Sequence, residues 1–172
     1  VLDRANLGGY TAGGPDKTVA TVPVSIVGTS VFTGVFATPA LWNGNLYIAA
    51  VSDALKMFTF SGGLPSATAA ASSNEVYGFP GATPSVSSQA SSNGIVWVLD
   101  TNANGTPGGG STSTGPAILR AYDATTLKLL YGSDKSPGDQ CGPAVKFTVP
   151  TVANGKVYVG GQAQLTVYGL LP

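Results

Sequence analysis

Apolar positions in this chain come in short runs, each closed by Gly, Pro or Asn, and no stretch shows the 3.6-residue spacing of an amphipathic helix. The runs are rich in Val, Ile, Tyr, Phe and Thr, side chains that suit a pleated, half-buried surface. One order recurs three times. Thr38-Pro39 is followed by Asn43-Gly44, then Leu46-Tyr47-Ile48, then Leu55-Lys56-Met57-Phe58; Thr83-Pro84 by Asn93-Gly94, Ile95-Val96-Trp97-Val98 and 118–123; Val149-Pro150 by Asn154-Gly155, Val157-Tyr158-Val159 and Leu165-Thr166-Val167-Tyr168. A strand, a turn and two more strands, repeated, is the mark of a repeat architecture. Asn-Gly accepts positive φ at both turn positions, so each Asn-Gly pair predicts a hairpin.

The pattern predicts strands over 35–41, 46–51 and 55–60 in the first unit, the last ended by Gly62-Gly63. The second unit runs 83–88, 95–99, 118–122 and 128–131, with a turn at Asn93-Gly94 and a Gly/Ser/Thr/Asn/Pro-rich surface loop over 101–116. The third has strands at 147–152, 156–160 and 164–170. Toward the amino terminus, 1–3 reads as the end of a third strand and 19–27 as a fourth; Val22 to Ile26 alternates, with Pro23 marking an edge or bulge. Units of four short antiparallel strands at this spacing predict an all-β fold, a partial β-propeller of about three and a quarter blades. The divisions are 1–30, the end of a blade; 31–75, a blade; 76–140, a blade with the long loop; and 141–172, three strands of the last blade. A ring needs at least four blades, so the sector is expected to be completed by further blades or by partner chains, with self-assembly through open edges as one route.

Composition narrows the chemistry. Eight basic and eight acidic side chains leave a net charge of zero, which offers no basic patch to displace counterions from nucleic acid. A surface of small neutral polar residues suits an extracellular, cell-surface or periplasmic protein. There is no histidine, which removes the commonest general base and transition-metal ligand. Cys141 stands alone, so it forms no disulfide within the chain; it reads as a small apolar residue or as a thiol for another part of a longer protein. No apolar run reaches the ~18 residues of a membrane span. The chain opens on Val1 without a signal peptide, which reads as a processed product or a fragment.

One segment has a calcium-loop opening. Asp100-Thr101-Asn102-Ala103-Asn104-Gly105 fits Asp-x-Asn-x-Asn-Gly, with oxygen ligands at alternate positions and Gly at the sixth. Asp100, Asn102 and Asn104 are the candidate metal ligands. Ser111 at the twelfth position replaces the bidentate Glu of an EF-hand, so the bland reading is a polar turn. Trp42, Trp97 and the tyrosines raise sugar stacking as an alternative to core packing, which is favoured for Trp97.

The stretch Ala121-Tyr122-Asp123-Ala124-Thr125-Thr126-Leu127-Lys128-Leu129-Leu130-Tyr131 resembles the blade signature of pyrroloquinoline-quinone-type propellers, Ala-x-Asp-Ala-x-Thr-Gly-Lys-x-x-Trp. Leu127 stands at the Gly and Tyr131 at the docking Trp. The segments 3–10 and 147–160 also resemble secreted bacterial proteins of this quinoprotein-like superfamily. The resemblance implies structural roles: Asp123 capping the turn by accepting backbone N–H groups, and Tyr131 packing flat between blades. It also raises the quinone cofactor. Enzymes of that kind surround the quinone with a metal ion, an acidic base and several Arg or Lys contacts. The arginines of this chain are Arg4 and Arg120 and its single glutamate is Glu75, and nothing in it resembles their vicinal cysteines. The first expectation is therefore a non-catalytic binding or assembly scaffold. The alternative is the C-terminal part of a quinone-dependent dehydrogenase whose catalytic residues lie upstream.

Overall fold

A computed structural model describes residues 1–10, 12–14, 17–22, 24, 33–104 and 115–169. These form an all-β chain of three antiparallel sheets with three to five strands, none of them closed. Sheet 1 holds β1 (Ala40–Trp42), β2 (Asn45–Ala49), β3 (Asp53–Ser61), β4 (Leu64–Pro65) and β5 (Ala71–Tyr77). β4 and β5 share one edge of β3, so the sheet is four strands wide. Sheet 2 runs β6 (Ser85–Gln89), β7 (Ser92–Asp100), β8 (Ile118–Asp123) and β9 (Leu129–Gly132), and sheet 3 runs β10 (Thr151–Ala153), β11 (Lys156–Gly161) and β12 (Gln164–Tyr168). No helix among the described residues is long and apolar enough to cross a membrane.

Sheet 2 lies in the middle, and its sequence shows why. Along β7 the successive residues Val96, Trp97, Val98 and Leu99 alternate in direction. Val96 and Val98 pack with Tyr47, Leu55, Met57 and Tyr77 of sheet 1, while Trp97 and Leu99 pack with Val157, Val159 and Tyr168 of sheet 3. A strand covered on both faces carries a continuous apolar run instead of an alternating one. Sheet 3 keeps one face bare: Val157 and Val159 are buried, whereas Leu165 and Val167 are 63% and 48% exposed. Val167 lies opposite Tyr158 in the register, so these apolar side chains share the outward face. Among the described residues β12 pairs only with β11.

The first strands of the three sheets converge. Cα atoms of β1 and β6, and of β6 and β10, come within 8 Å, and Ser85 Oγ on β6 donates to the Pro150 carbonyl just before β10.

Two of the three Asn-Gly turns are as expected. Asn43 and Gly44 (φ 47° and 74°) and Asn154 and Gly155 (φ 51° and 70°) are both left-handed. In the middle unit the turn is not at Asn93-Gly94 but at Ala90-Ser91, because Gln89 pairs with Ser92. Asn93 (φ 53°) sits inside β7 at a register shift. Gly94 is there for packing: a Cβ on it would lie 2.6 Å from the Trp42 indole and 2.8 Å from Ala124 Cβ.

β5 is a further departure. It crosses the expected 75/76 boundary, and its inward positions include Ser73 and Glu75 as well as Tyr77, so its alternation has no apolar signature. At the amino terminus, residues 19–22 and 24 are not in a strand, and the described contacts there include one bridge, Leu2 with Thr18; 25–27 lie outside the described residues. Of the loop 101–116, the ends are anchored: 102–104 form a single 3-10 turn and Pro116 bridges Pro143.

Candidate functional site

The polar chemistry of the described residues gathers at the two seams between sheets. In the first seam Tyr77, at the end of β5, meets Tyr122 on β8, with hydroxyls 2.7 Å apart and both rings fully buried. Tyr122 donates to Glu75 Oε2 at 2.9 Å. A tyrosine hydroxyl has one proton, so Tyr77 is the donor to Tyr122 and the chain runs Tyr77 to Tyr122 to Glu75. Burial pushes the Tyr77 hydroxyl up to about 12. Tyr122 is raised as well, by burial first and then by Tyr77 and Glu75. Both phenols are therefore held neutral, which suits donors and not bases. Arg120 lies 5.9 Å from the centre of the Tyr77 ring and donates to Asp100 Oδ2 at 2.7 Å. Burial opposes the Arg120 charge, but the bond to Asp100 and its neighbours outweigh that and raise it.

The second seam repeats the plan with other atoms. Tyr168 on β12 donates to the Asp139 carbonyl at 2.8 Å and lies 2.8 Å from Cys141 Sγ. Its one proton is spent on Asp139, so the thiol donates to Tyr168. Asp139 and Cys141 thus stand to Tyr168 as Glu75 and Tyr77 stand to Tyr122, with the same spacing in the chain. Serines repeat too: Ser73 Oγ accepts from Leu55 N at 3.1 Å and Ser133 Oγ from Leu119 N at 3.0 Å. This inter-sheet repeat uses a carboxylate in one seam and a backbone carbonyl in the other, and it falls in the loops and polar strands outside the strand-turn-strand pattern. Cys141 is buried, which fits the small-residue reading.

The candidate calcium ligands are each engaged elsewhere. Asp100 Oδ2 is paired with Arg120, and its Oδ1 accepts from Asn102 N at 2.9 Å. Asn102 Oδ1 accepts from Gly78 N at 2.8 Å, and Asn104 Nδ2 donates to the Ala144 carbonyl at 2.8 Å. The three side chains reach sheet 2, the β5–β6 connection and the loop before β10, and Asp100 already has a cation. Gly105 and Ser111 lie outside the described residues. Among the described residues no three His, Cys, Asp or Glu side chains cluster as a metal site would require.

Asp123 does cap its turn. Its Oδ1 accepts from the backbone N–H groups of Thr125 and Thr126, each at 2.9 Å, and from both threonine hydroxyls. The Thr125 hydroxyl is the largest of the influences that together hold this carboxyl below its ordinary range. Tyr131 is half-buried and meets Tyr168 edge-on, with ring centroids 6.3 Å apart at 66°, instead of packing flat.

Trp97 donates its indole N–H to Ser87 Oγ at 2.9 Å, and it lines a groove between sheets 2 and 3. The groove encloses about 670 Å³ beside β12. Trp42 instead donates to the Ala90 carbonyl at 3.0 Å and packs on Gly94.

Comparison of the chain with protein-family models, with curated proteins and with solved structures gives no match.

Proposed function

We propose that the chain is a β-propeller sector that serves as a non-catalytic binding and assembly scaffold in a quinoprotein-like protein outside the cytoplasm. The bare outward face of sheet 3 carries the proposal. Tyr158, Leu165 and Val167 present apolar surface on a sheet whose other face meets sheet 2, and among the described residues the β12 edge has no partner strand beyond β11. A further sheet, from other blades or a partner chain, continues the stack there.

Two observations support the propeller reading. The first strands of successive sheets converge, as blades do at a common axis. Leu127, where the resembled blade signature has Gly, is left-handed with φ 54°, the conformation that Gly takes most readily. Arg120 and Asp100 pair with each other within sheet 2, and Glu75 accepts from Tyr122 across the first seam, which supports structural roles for these charged groups.

Sedimentation velocity tests this reading. The chain is expected to associate as its concentration rises, and the Leu165→Lys/Val167→Lys variant to stay monomeric. A wild-type chain that sediments as a stable monomer at every concentration overturns it.

A further inference from the structure

The groove between sheets 2 and 3 has the volume of a small-ligand site, and its lining is unusual. Trp97, Tyr131 and Tyr168 contribute three aromatic rings. The Tyr131 and Tyr168 rings meet at 66°, so they make two walls of a corner instead of a parallel stack. Ile95 and Val157 add aliphatic surface, and Asp139 adds a carboxylate. Among the described residues no Lys, Arg or terminal amine forms an ion pair with Asp139; the nearby Lys135 pairs with Asp134 at 3.5 Å. The groove therefore joins three aromatic side chains to a carboxylate that forms no ion pair among the described residues.

Ligand classes fit this lining unequally. A small inorganic cation needs a shell of oxygen ligands, and the groove offers one carboxylate. A primary ammonium carries three N–H donors that must each find an acceptor. A saccharide brings many hydroxyls, whereas the polar side chains on the lining are Asp139 and Thr166 with the tyrosine hydroxyls. A quaternary ammonium needs no hydrogen bonds: its charge is spread over methyl groups that tolerate apolar contact and are drawn to aromatic faces.

We infer that this groove binds a quaternary ammonium group, the trimethylammonium head of a small molecule, between the three rings and the Asp139 carboxylate.

The probe is choline chloride, with 3,3-dimethylbutan-1-ol as its uncharged isostere and glucose as a saccharide control. Nitrogen-resolved NMR follows the two indole N–H signals, assigned by the loss of one in Trp97→Phe. Choline is expected to shift the Trp97 signal to saturation and leave Trp42 in place. The isostere and glucose give no saturable shift. Asp139→Asn weakens choline binding about fivefold or more. Tyr131→Phe retains binding and Tyr131→Leu loses it, which separates the ring's role from the hydroxyl's. Equal saturation by choline and its isostere makes the groove merely apolar and overturns the inference. Saturation by glucose alone, or a Trp97 signal that moves with none of the three, overturns it as well.

Discussion

Tyr122 and Glu75 are joined across the seam between sheets 1 and 2 by a 2.9 Å hydrogen bond from a fully buried phenol to a carboxylate oxygen. Tyr168 makes the corresponding reach to Asp139 across the next seam, to a backbone carbonyl. Sheets in this chain are therefore held together by polar contacts as well as by apolar packing, and the polar contacts follow the repeat.

Removing the Tyr122 hydroxyl leaves Tyr77 without its acceptor and Glu75 without its donor. Tyr122→Phe should cost ~1–3 kcal/mol, the range for stranding buried polar groups. The double variant with Tyr77→Phe should cost less than the sum of the single losses, because the two hydroxyls form one network. Urea unfolding measures both. Strict additivity would show that the hydroxyls act independently.

Alkali should loosen the same seams. A tyrosine whose pKa is raised by folding holds its proton more tightly in the native state. The stability linked to it is fully present below the ordinary value of 10.0 and is lost as pH rises through the folded value. Burial pushes both Tyr77 and Tyr131 up to about 12, which sets the window between those two pH values. The melting temperature should be nearly flat from about pH 8 to 10 and fall beyond it, with phenolate absorbance of the buried tyrosines appearing only as the chain unfolds. Ionisation of every tyrosine near its ordinary pKa in a still-folded chain would contradict this.

Gly94 is held by its neighbours. A methyl group there meets the Trp42 ring and the Ala124 methyl well inside contact distance, and overpacking of this kind costs ~1–3 kcal/mol. Gly94→Ala should lose that much in denaturant melts and move the Trp42 emission. By contrast, Gly138 has nothing within 4 Å of an added Cβ and no positive φ, so Gly138→Ala should leave stability nearly unchanged.

Much of the strand order was legible because it rests on apolar runs and turn residues: β2, β3, β7, β8, β11 and β12 lie where Val, Ile, Tyr and Phe cluster. β5 was hidden because the residues it turns inward, Ser73 and Glu75, are polar, and only the structure shows the Tyr122 hydroxyl and Leu55 N–H that they satisfy. The Asn93-Gly94 turn was misplaced because the same dipeptide serves two purposes: a positive-φ hairpin in sheets 1 and 3, and a bulge with a steric void for Trp42 in sheet 2. Local sequence does not distinguish these, since the void belongs to the neighbouring sheet. The groove was invisible for the same reason. Trp97 reads as a core residue on its own strand, and its exposure to a cavity depends on β12, far along the chain.

The Asp100–Arg120 pair bears on the loop that opens like a calcium site. Both side chains are about nine-tenths buried, so Arg120→Ala should cost ~3–5 kcal/mol by stranding the carboxylate. Because the Arg120 guanidinium already balances Asp100, chelation of calcium from the wild-type chain should leave its melting temperature unchanged. A drop on chelation that calcium restores would contradict this and support Asp100, Asn102 and Asn104 as ligands.

The propeller reading is tested most directly by distances between paired spin labels. One pair is placed on first strands, at Leu41 of β1 and Ser88 of β6; the other on fourth strands, at Asn74 of β5 and Leu130 of β9. All four positions are exposed. Cys141 is buried and is expected to stay unlabelled. A propeller sector predicts a shorter distance for the inner pair than for the outer pair, because the sheets fan outward. Equal distances would mean parallel layers and would contradict the propeller reading.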